Sequence, residues 1–216
     1  MSLFRVDSSI RQEGSVSRAV ADTVTANWQA AHPTGEIARR DLATTPVPTD
    51  AWTDSIAGNY AGDARTPAQQ QAKDLATELA DELVAAESIV IGTSLYNFGV
   101  SQHLKSWIDL LLTDPRFAPG QRPLTGKTVA LVIARGGGYG PGTPRDGWDH
   151  ATPWLVRIFQ DVLGAELTTV AAELTLAEVT PAMAELVPLA KQSQAAAHEL
   201  AATTGKAFAT RQTASV

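Results

Sequence analysis

Three short stretches of the chain carry residues able to do more than fill a core. Ser8, Ser9, Ser15 and Ser17 lie in a polar loop with Gly14, directly ahead of a helix-periodic segment. Hydroxyls and free N–H groups gathered at a helix N-terminus make a place for an anion. Ser15 or Ser17 also suits a plain helix cap. Leu95-Tyr96-Asn97-Phe98-Gly99 sets two aromatics and an amide in a loop that ends at Ser101, itself a cap for the next helix. Asn97 there fits a hydrogen bond to a ligand or a tight turn. Arg135-Gly136-Gly137-Gly138-Tyr139-Gly140-Pro141-Gly142 is nearly bare of side chains, so its backbone can touch a flat ligand where no side chain intervenes. Arg135 is placed either to hold that ligand or to pair with a carboxylate, and Tyr139 either to face it or to pack.

These loops need elements that bring them together, and the apolar pattern supplies them. Leu3, Phe4 and Val6 make a first strand, followed by a helix from about Ser17 to Ala31 with Val20, Val24 and Trp28 spaced by four. Glu36 to Leu42 reads as a charged edge strand. Ile89-Val90-Ile91 and Thr128 to Ala134 are continuous apolar runs, the mark of strands buried on both faces of a parallel sheet. Leu167 to Ala172 makes a fifth. Between them, Thr66-Pro67-Ala68-Gln69 starts a helix with a capping box. Leu104, Trp107, Ile108 and Leu111 share one helical face, and Thr152-Pro153 opens a helix with Leu155, Ile158, Phe159 and Val162 turned inward. Thr180-Pro181 opens a last helix that Pro188 should kink or split. Ala43 to Arg65, with Pro46, Pro48, Gly58 and Gly62, reads as a long irregular loop that packs through Trp52 and Tyr60. The result is an α/β chain with a doubly wound, five-stranded parallel sheet and helices on both faces, one domain over residues 1–204 and a frayed tail over 205–216.

Composition narrows the function. With 216 residues, 44% of them hydrophobic and 19% charged, the chain can build one full core. A formal charge of −6 argues against nucleic acid as a partner. There is no cysteine, and the histidines at 32, 103, 150 and 198 have no ligand spacing. No long apolar run suggests a signal peptide or a membrane span, so a cytoplasmic location and no membrane partner are expected. Gly120 to Thr128 imitates a P-loop, but five residues separate its glycines and Lys127 precedes a strand. No G-x-S-x-G elbow occurs.

The three loops follow the first, third and fourth strands, and ligands of open α/β sheets sit outside those carboxyl ends. An anion cradle, an aromatic wall and a bare backbone edge suit a ligand with a phosphate, a polyol chain and a flat polar ring. Flavin mononucleotide (FMN) has all three, and a flavodoxin-like sheet places it there.

On the same residues the chain resembles the FMN-dependent NADH-azoreductases, also called FMN-dependent NADH:quinone oxidoreductases, over nearly its whole length to about residue 203. Ser8-Ser9 with Ser15-Val16-Ser17 is similar to that family's phosphate loop, Leu95-Tyr96-Asn97-Phe98 to its M-Y-N-F wall, and Ala134-Arg135-Gly136-Gly137 to its S-R-G-G loop against the flavin ring. The resemblance implies tightly bound FMN, NADH or NADPH as donor, and quinones with some azo compounds as acceptors. It also implies ping-pong exchange and a homodimer whose second subunit completes the pocket. The flavin carries the chemistry, so no catalytic side chain is expected. Phe98, Phe117 and Tyr139 become the residues expected to pack the acceptor.

Ala134 stands where the family has serine, Leu95 where it has methionine, and the loop around Phe117 is short and lacks the family's tyrosine. A more open flavin face, favouring compact quinones over extended azo dyes, follows from that loop. An electron-carrier flavodoxin and a free-flavin reductase are the alternatives. The phosphate loop lacks the carrier's T-x-T-G-x-T form.

Overall fold

A computed structural model describes residues 1–211 of the chain. Its sheet has five parallel strands, β1 (Ser2–Asp7), β2 (Glu36–Asp41), β3 (Ser88–Ser94), β4 (Thr128–Ala134) and β5 (Glu166–Ala172), in the order β2-β1-β3-β4-β5. The apolar β3 and β4 are central and buried apart from Ser94 at the end of β3, whereas Glu36, Arg39 and Arg40 place β2 at an edge. Strand order reverses between β1 and β3, so their carboxyl ends diverge into a crevice.

Helices cover both faces. On one side lie α1 (Val16–Ala31) and α6 (Val187–Arg211), packed with Leu3, Val90, Ala130, Val132 and Val170. On the other lie α2 (Ala51–Ala61), α3 (Pro67–Ala85), α4 (Gln102–Leu111) and α5 (Thr152–Val156), over Phe4, Val6, Ile89, Ile91, Val129 and Leu131. The capping box of α3 forms as expected, with Thr66 and Gln69 bonding each other's backbone. Leu104, Trp107, Ile108 and Leu111 are all buried, each contributing roughly 1.5–3 kcal/mol by leaving water.

Four expectations need correction. Residues 43–65 are not irregular: α2 occupies their centre, burying only Ala51, Ser55 and Gly58, while Trp52 and Tyr60 stand 48% and 88% exposed. Small residues at helical spacing leave no apolar stripe to read. Val162 points out because α5 continues as a π-helix over Arg157–Val162, whose wider turn rotates the later side chains. Pro188 does not kink a helix. It sits in the first turn of α6, behind a 3₁₀ turn over Pro181–Leu186, where no N–H is needed. The expected tail from 205 is helical to Arg211, with Gly205 seated on α1 and Phe208 and Ala209 buried in the core that α1 shares. A Cβ at Gly205 would overlap the Val24 carbonyl, so glycine there permits close helix packing instead of fraying. Residues 212–216 of the expected tail lie outside the described residues.

Candidate functional site

The loop after β1 is held open by charge pairs beneath it. Arg18 of α1 grips Asp41 with both Nη atoms (2.7 and 2.9 Å) and donates to the carbonyls of Ser9 (2.9 Å) and Arg11 (3.2 Å). Its guanidinium therefore shapes the loop and does not line the cavity above it. Burial works to raise the Asp41 carboxyl, but the Arg18 hydrogen bonds, the Ala43 N–H and the Arg18 charge outweigh it and hold it below the usual value. Deeper, Arg5 and Asp7 pair in the core, with Asp22 on Arg5 as well. Burial pushes the Asp7 carboxyl up despite both arginines. Ser8 locks β1 to β3 through Thr93 (2.8 Å), leaving Ser9 to face the cavity.

Above these pairs the serines form one nest of hydroxyls. Ser15 caps α1 and lies 3.0 Å from the Ser9 hydroxyl and 3.3 Å from that of Ser17, which reaches Ser94 at 3.4 Å. Tyr96 closes the nest, its Oη accepting the Ile10 N–H (3.1 Å) and meeting Ser9 at 3.4 Å. The N–H groups of Val16 and Ser17 have no acceptor among the described residues. Orphan amides and hydroxyls at the positive end of a 16-residue helix make an anion site.

Tyr96 and Gly99 exchange both backbone hydrogen bonds (3.2 and 2.9 Å), and between them Asn97 and Phe98 have φ of +48° and +66°. This is the two-residue turn in which both central residues are left-handed, normally an Asn-Gly position. A phenylalanine there is strained by about 1–2 kcal/mol. The His150 N–H fastens its carbonyl at 2.9 Å. Phe98 is 38% exposed, and its ring meets Tyr139 and Trp148 edge-on, at 6.4 and 5.5 Å between centroids. Asn97 is exposed, and its side chain has no hydrogen bond among the described residues.

The glycine loop after β4 presents backbone. Gly136 lines the cavity, its N–H lacks an acceptor among the described residues, and a Cβ on it would come within 2.7 Å of Leu176. One on Gly137 would press Arg145, whose guanidinium lies over the Tyr139 ring. Arg135 turns away from the cavity to pair with Asp149 and Glu173, each at 2.8 Å.

One cavity of about 230 Å³ therefore joins Ser9, Ser15, Val16, Leu95, Tyr96, Ala134 and Gly136. Ser17 stands behind it in the nest. Asn97, Phe98, Arg135, Gly137 and Tyr139 surround it without lining it. Phe117 does not belong with them: it ends a 3₁₀ turn over Pro115–Phe117, is 1% exposed and packs in the core under α3 and α4. A short loop leaves no slack to swing an aromatic outward, and the core takes it. The sequence reading missed Ile10, Arg11, Ser94, Thr175 and Leu176, which also line the cavity. Thr175 and Leu176 follow β5, so the rule that ligands sit beyond strand carboxyl ends points to them.

The chain thus has the flavodoxin-like fold, and the flavodoxin-like fold family matches it over residues 1–198. An FMN-dependent NADH:quinone oxidoreductase of Streptomyces avermitilis is 39% identical over 211 residues, 97% of this chain and 97% of the relative. The crystal structure of an azoreductase from Bacillus anthracis str. Sterne superposes with a TM-score of 0.79 at 23% identity, covering 96% of this chain and 99% of that one. An FMN-dependent NADH-azoreductase from Bacillus anthracis str. Ames Ancestor, in complex with FMN, gives 0.72 at 16% identity, covering 94% and 98%. The chain belongs to the family of FMN-dependent NADH:quinone oxidoreductases and is an oxidoreductase enzyme.

Proposed function

We propose that the cavity binds FMN and that the chain passes electrons from NADH, or NADPH, to quinones and less readily to azo compounds. The observation that carries this reading is the pairing, in one cavity, of a hydroxyl and N–H nest at one end with bare glycine backbone at the other. A phosphate suits the first and a ring edge the second. When bound, FMN supplies the two-electron redox chemistry, alternating between donor and acceptor in ping-pong order. The chain's own part is to hold and orient. Ser9, Ser15 and Ser17 donate to the phosphate with the α1 N-terminus, Leu95 and Tyr96 wall the ring, and the Gly136 N–H offers a fixed dipole to negative charge. Phe98 and Tyr139 flank the acceptor's seat.

A cavity of about 230 Å³ is below the ~300–1,000 Å³ usual for a drug-sized ligand, so FMN would stand partly outside it beside Phe98, Tyr139 and Trp148. The same reading has a homodimer in the cytoplasm, with the second copy closing that open side. With Phe117 buried, nothing from its loop crowds the acceptor, which supports compact quinones over extended azo dyes.

The test is fluorescence titration of apo-protein with FMN and riboflavin, followed by NADH oxidation with a benzoquinone and with methyl red. Tight FMN binding, weaker riboflavin binding and faster quinone turnover are expected. Equal affinity for both flavins would remove the phosphate assignment, and azo activity far above quinone activity would remove the acceptor assignment. Poor turnover by a protein that keeps its FMN would instead indicate an electron carrier, and FMN lost on gel filtration a free-flavin reductase.

A further inference from the structure

The Arg135 guanidinium joins segments that come from three different places in the chain. Nη1 pairs with Glu173 at 2.8 Å, and Nη2 pairs with Asp149 at 2.8 Å and donates to the Thr152 hydroxyl at 3.0 Å. Both carboxylates are engaged further. Glu173, at the end of β5, accepts the Tyr139 N–H at 3.3 Å on each oxygen. Asp149 accepts the Ala151 and Thr152 N–H groups, both at 2.9 Å, which fixes the start of α5. The next residue, His150, donates its N–H to the carbonyl of the left-handed Phe98. A continuous path therefore runs from Phe98 through His150, Asp149, Arg135 and Glu173 to Tyr139. Its two ends are the backbone groups of the residues whose rings face each other edge-on at 6.4 Å. The three charged side chains are only 14%, 11% and 22% exposed, so water screens the path little.

We propose that Arg135 is a positioning residue that sets the spacing of Phe98 and Tyr139, and with it which acceptors fit between them. The inference rests on the FMN reading for its kinetic arm and on geometry alone for its structural arm. A planar fork can bridge two carboxylates that approach from different directions, and a single ammonium cannot hold both in that geometry. Lysine at this position therefore keeps the charge and loses the clamp. Arg135 Nε has no partner among the described residues, so the clamp depends on the two Nη groups.

The experiment compares wild type with Arg135→Lys, Arg135→Gln and Glu173→Gln. The preference for FMN over riboflavin is expected to stay near wild type, because the serine nest is untouched. Acceptor kcat/KM should fall about ten- to a hundredfold, as misplacement near 1 Å allows, mainly through KM, and lysine should not rescue it. Near-UV circular dichroism of the apo-proteins should change, since Phe98, Tyr139 and Trp148 share one cluster. Wild-type acceptor KM and an unchanged apo spectrum in Arg135→Lys would overturn the proposal, even alongside a lowered urea midpoint. If Arg135 variants fail to fold, Glu173→Gln, which cuts one arm only, decides on the same two readouts. If wild type binds no FMN, the FMN reading fails separately, and the apo spectrum still tests the clamp.

Discussion

The two ends of the cavity are built by different means. At the nest, side chains make the site: four serine hydroxyls and a tyrosine form a chain with 3.0 to 3.4 Å between successive oxygens, beside a helix N-terminus. At the glycine end, backbone makes the site, and the side chains that hold it face elsewhere, as Arg135 does. A side-chain site is deleted by removing atoms from it. A backbone site changes only when its conformation does, so its weak points lie in residues outside the cavity.

The largest expected effect separates either end from the core. Phe117→Ala should destabilise the apo-protein by about 3–5 kcal/mol, read as a shift in urea midpoint, with acceptor KM unchanged in the protein that remains folded. Little loss of stability with a raised acceptor KM would return Phe117 to the glycine end. Next come the serines. Removing a hydrogen bond to a charged group costs roughly 1.5–3 kcal/mol, about one to two decades of affinity, so Ser15→Ala and Ser17→Ala should each weaken FMN binding by that much. Riboflavin affinity should change little, and parallel losses for both flavins would place the serines in the fold alone.

Phe98→Gly probes the backbone end. Relief of the left-handed conformation is worth roughly 1–2 kcal/mol, and the looser unfolded chain takes back about 0.4–1 kcal/mol. A stabler apo-protein, by up to about 1.5 kcal/mol, with a poorer acceptor KM is the outcome that strain at a working position requires. Loss of stability would mean that the ring's packing with Tyr139 and Trp148 outweighs the strain. The smallest effect is with pH. Asp41, held below 3.8, adds stability that is complete above 3.8 and lost as pH falls below it. Asp7, pushed above 3.8, acts in reverse: burying it charged costs stability at neutral pH, and protonation relieves that cost as pH falls towards 3.8. Urea midpoints between pH 6 and 3 should therefore fall less steeply below 3.8 in Asp41→Asn than in wild type.

Much of this was legible where chemistry and periodicity coincide in few residues. Continuous apolar runs gave β3 and β4, and serines before a helix gave the nest. Ser94 escaped because one serine at a strand end has no pattern of its own. The glycine end was harder. Asp149 and Glu173 lie far along the chain from Arg135, so only the fold shows that the arginine is engaged by both. Asn97 and Phe98 could not be read as a left-handed pair, since phenylalanine is not the residue that turn prefers. Helices α2 and α6 bury alanine, serine and glycine, and such stripes carry too little hydrophobic contrast to reveal a packed face.

The close seat of Gly205 on α1 bears on the order of events during synthesis. The helix that offers its N-terminus to the nest is synthesised well before the helix that clasps it. Thr23 bonds His198 and His32 bonds the Ala209 carbonyl, so the clasp runs along much of α1. Until some 180 further residues have emerged (Val24 to Gly205), α1 lacks that cover. At about 5–20 residues per second, the nascent chain passes roughly ten to forty seconds with its cradle helix half-dressed.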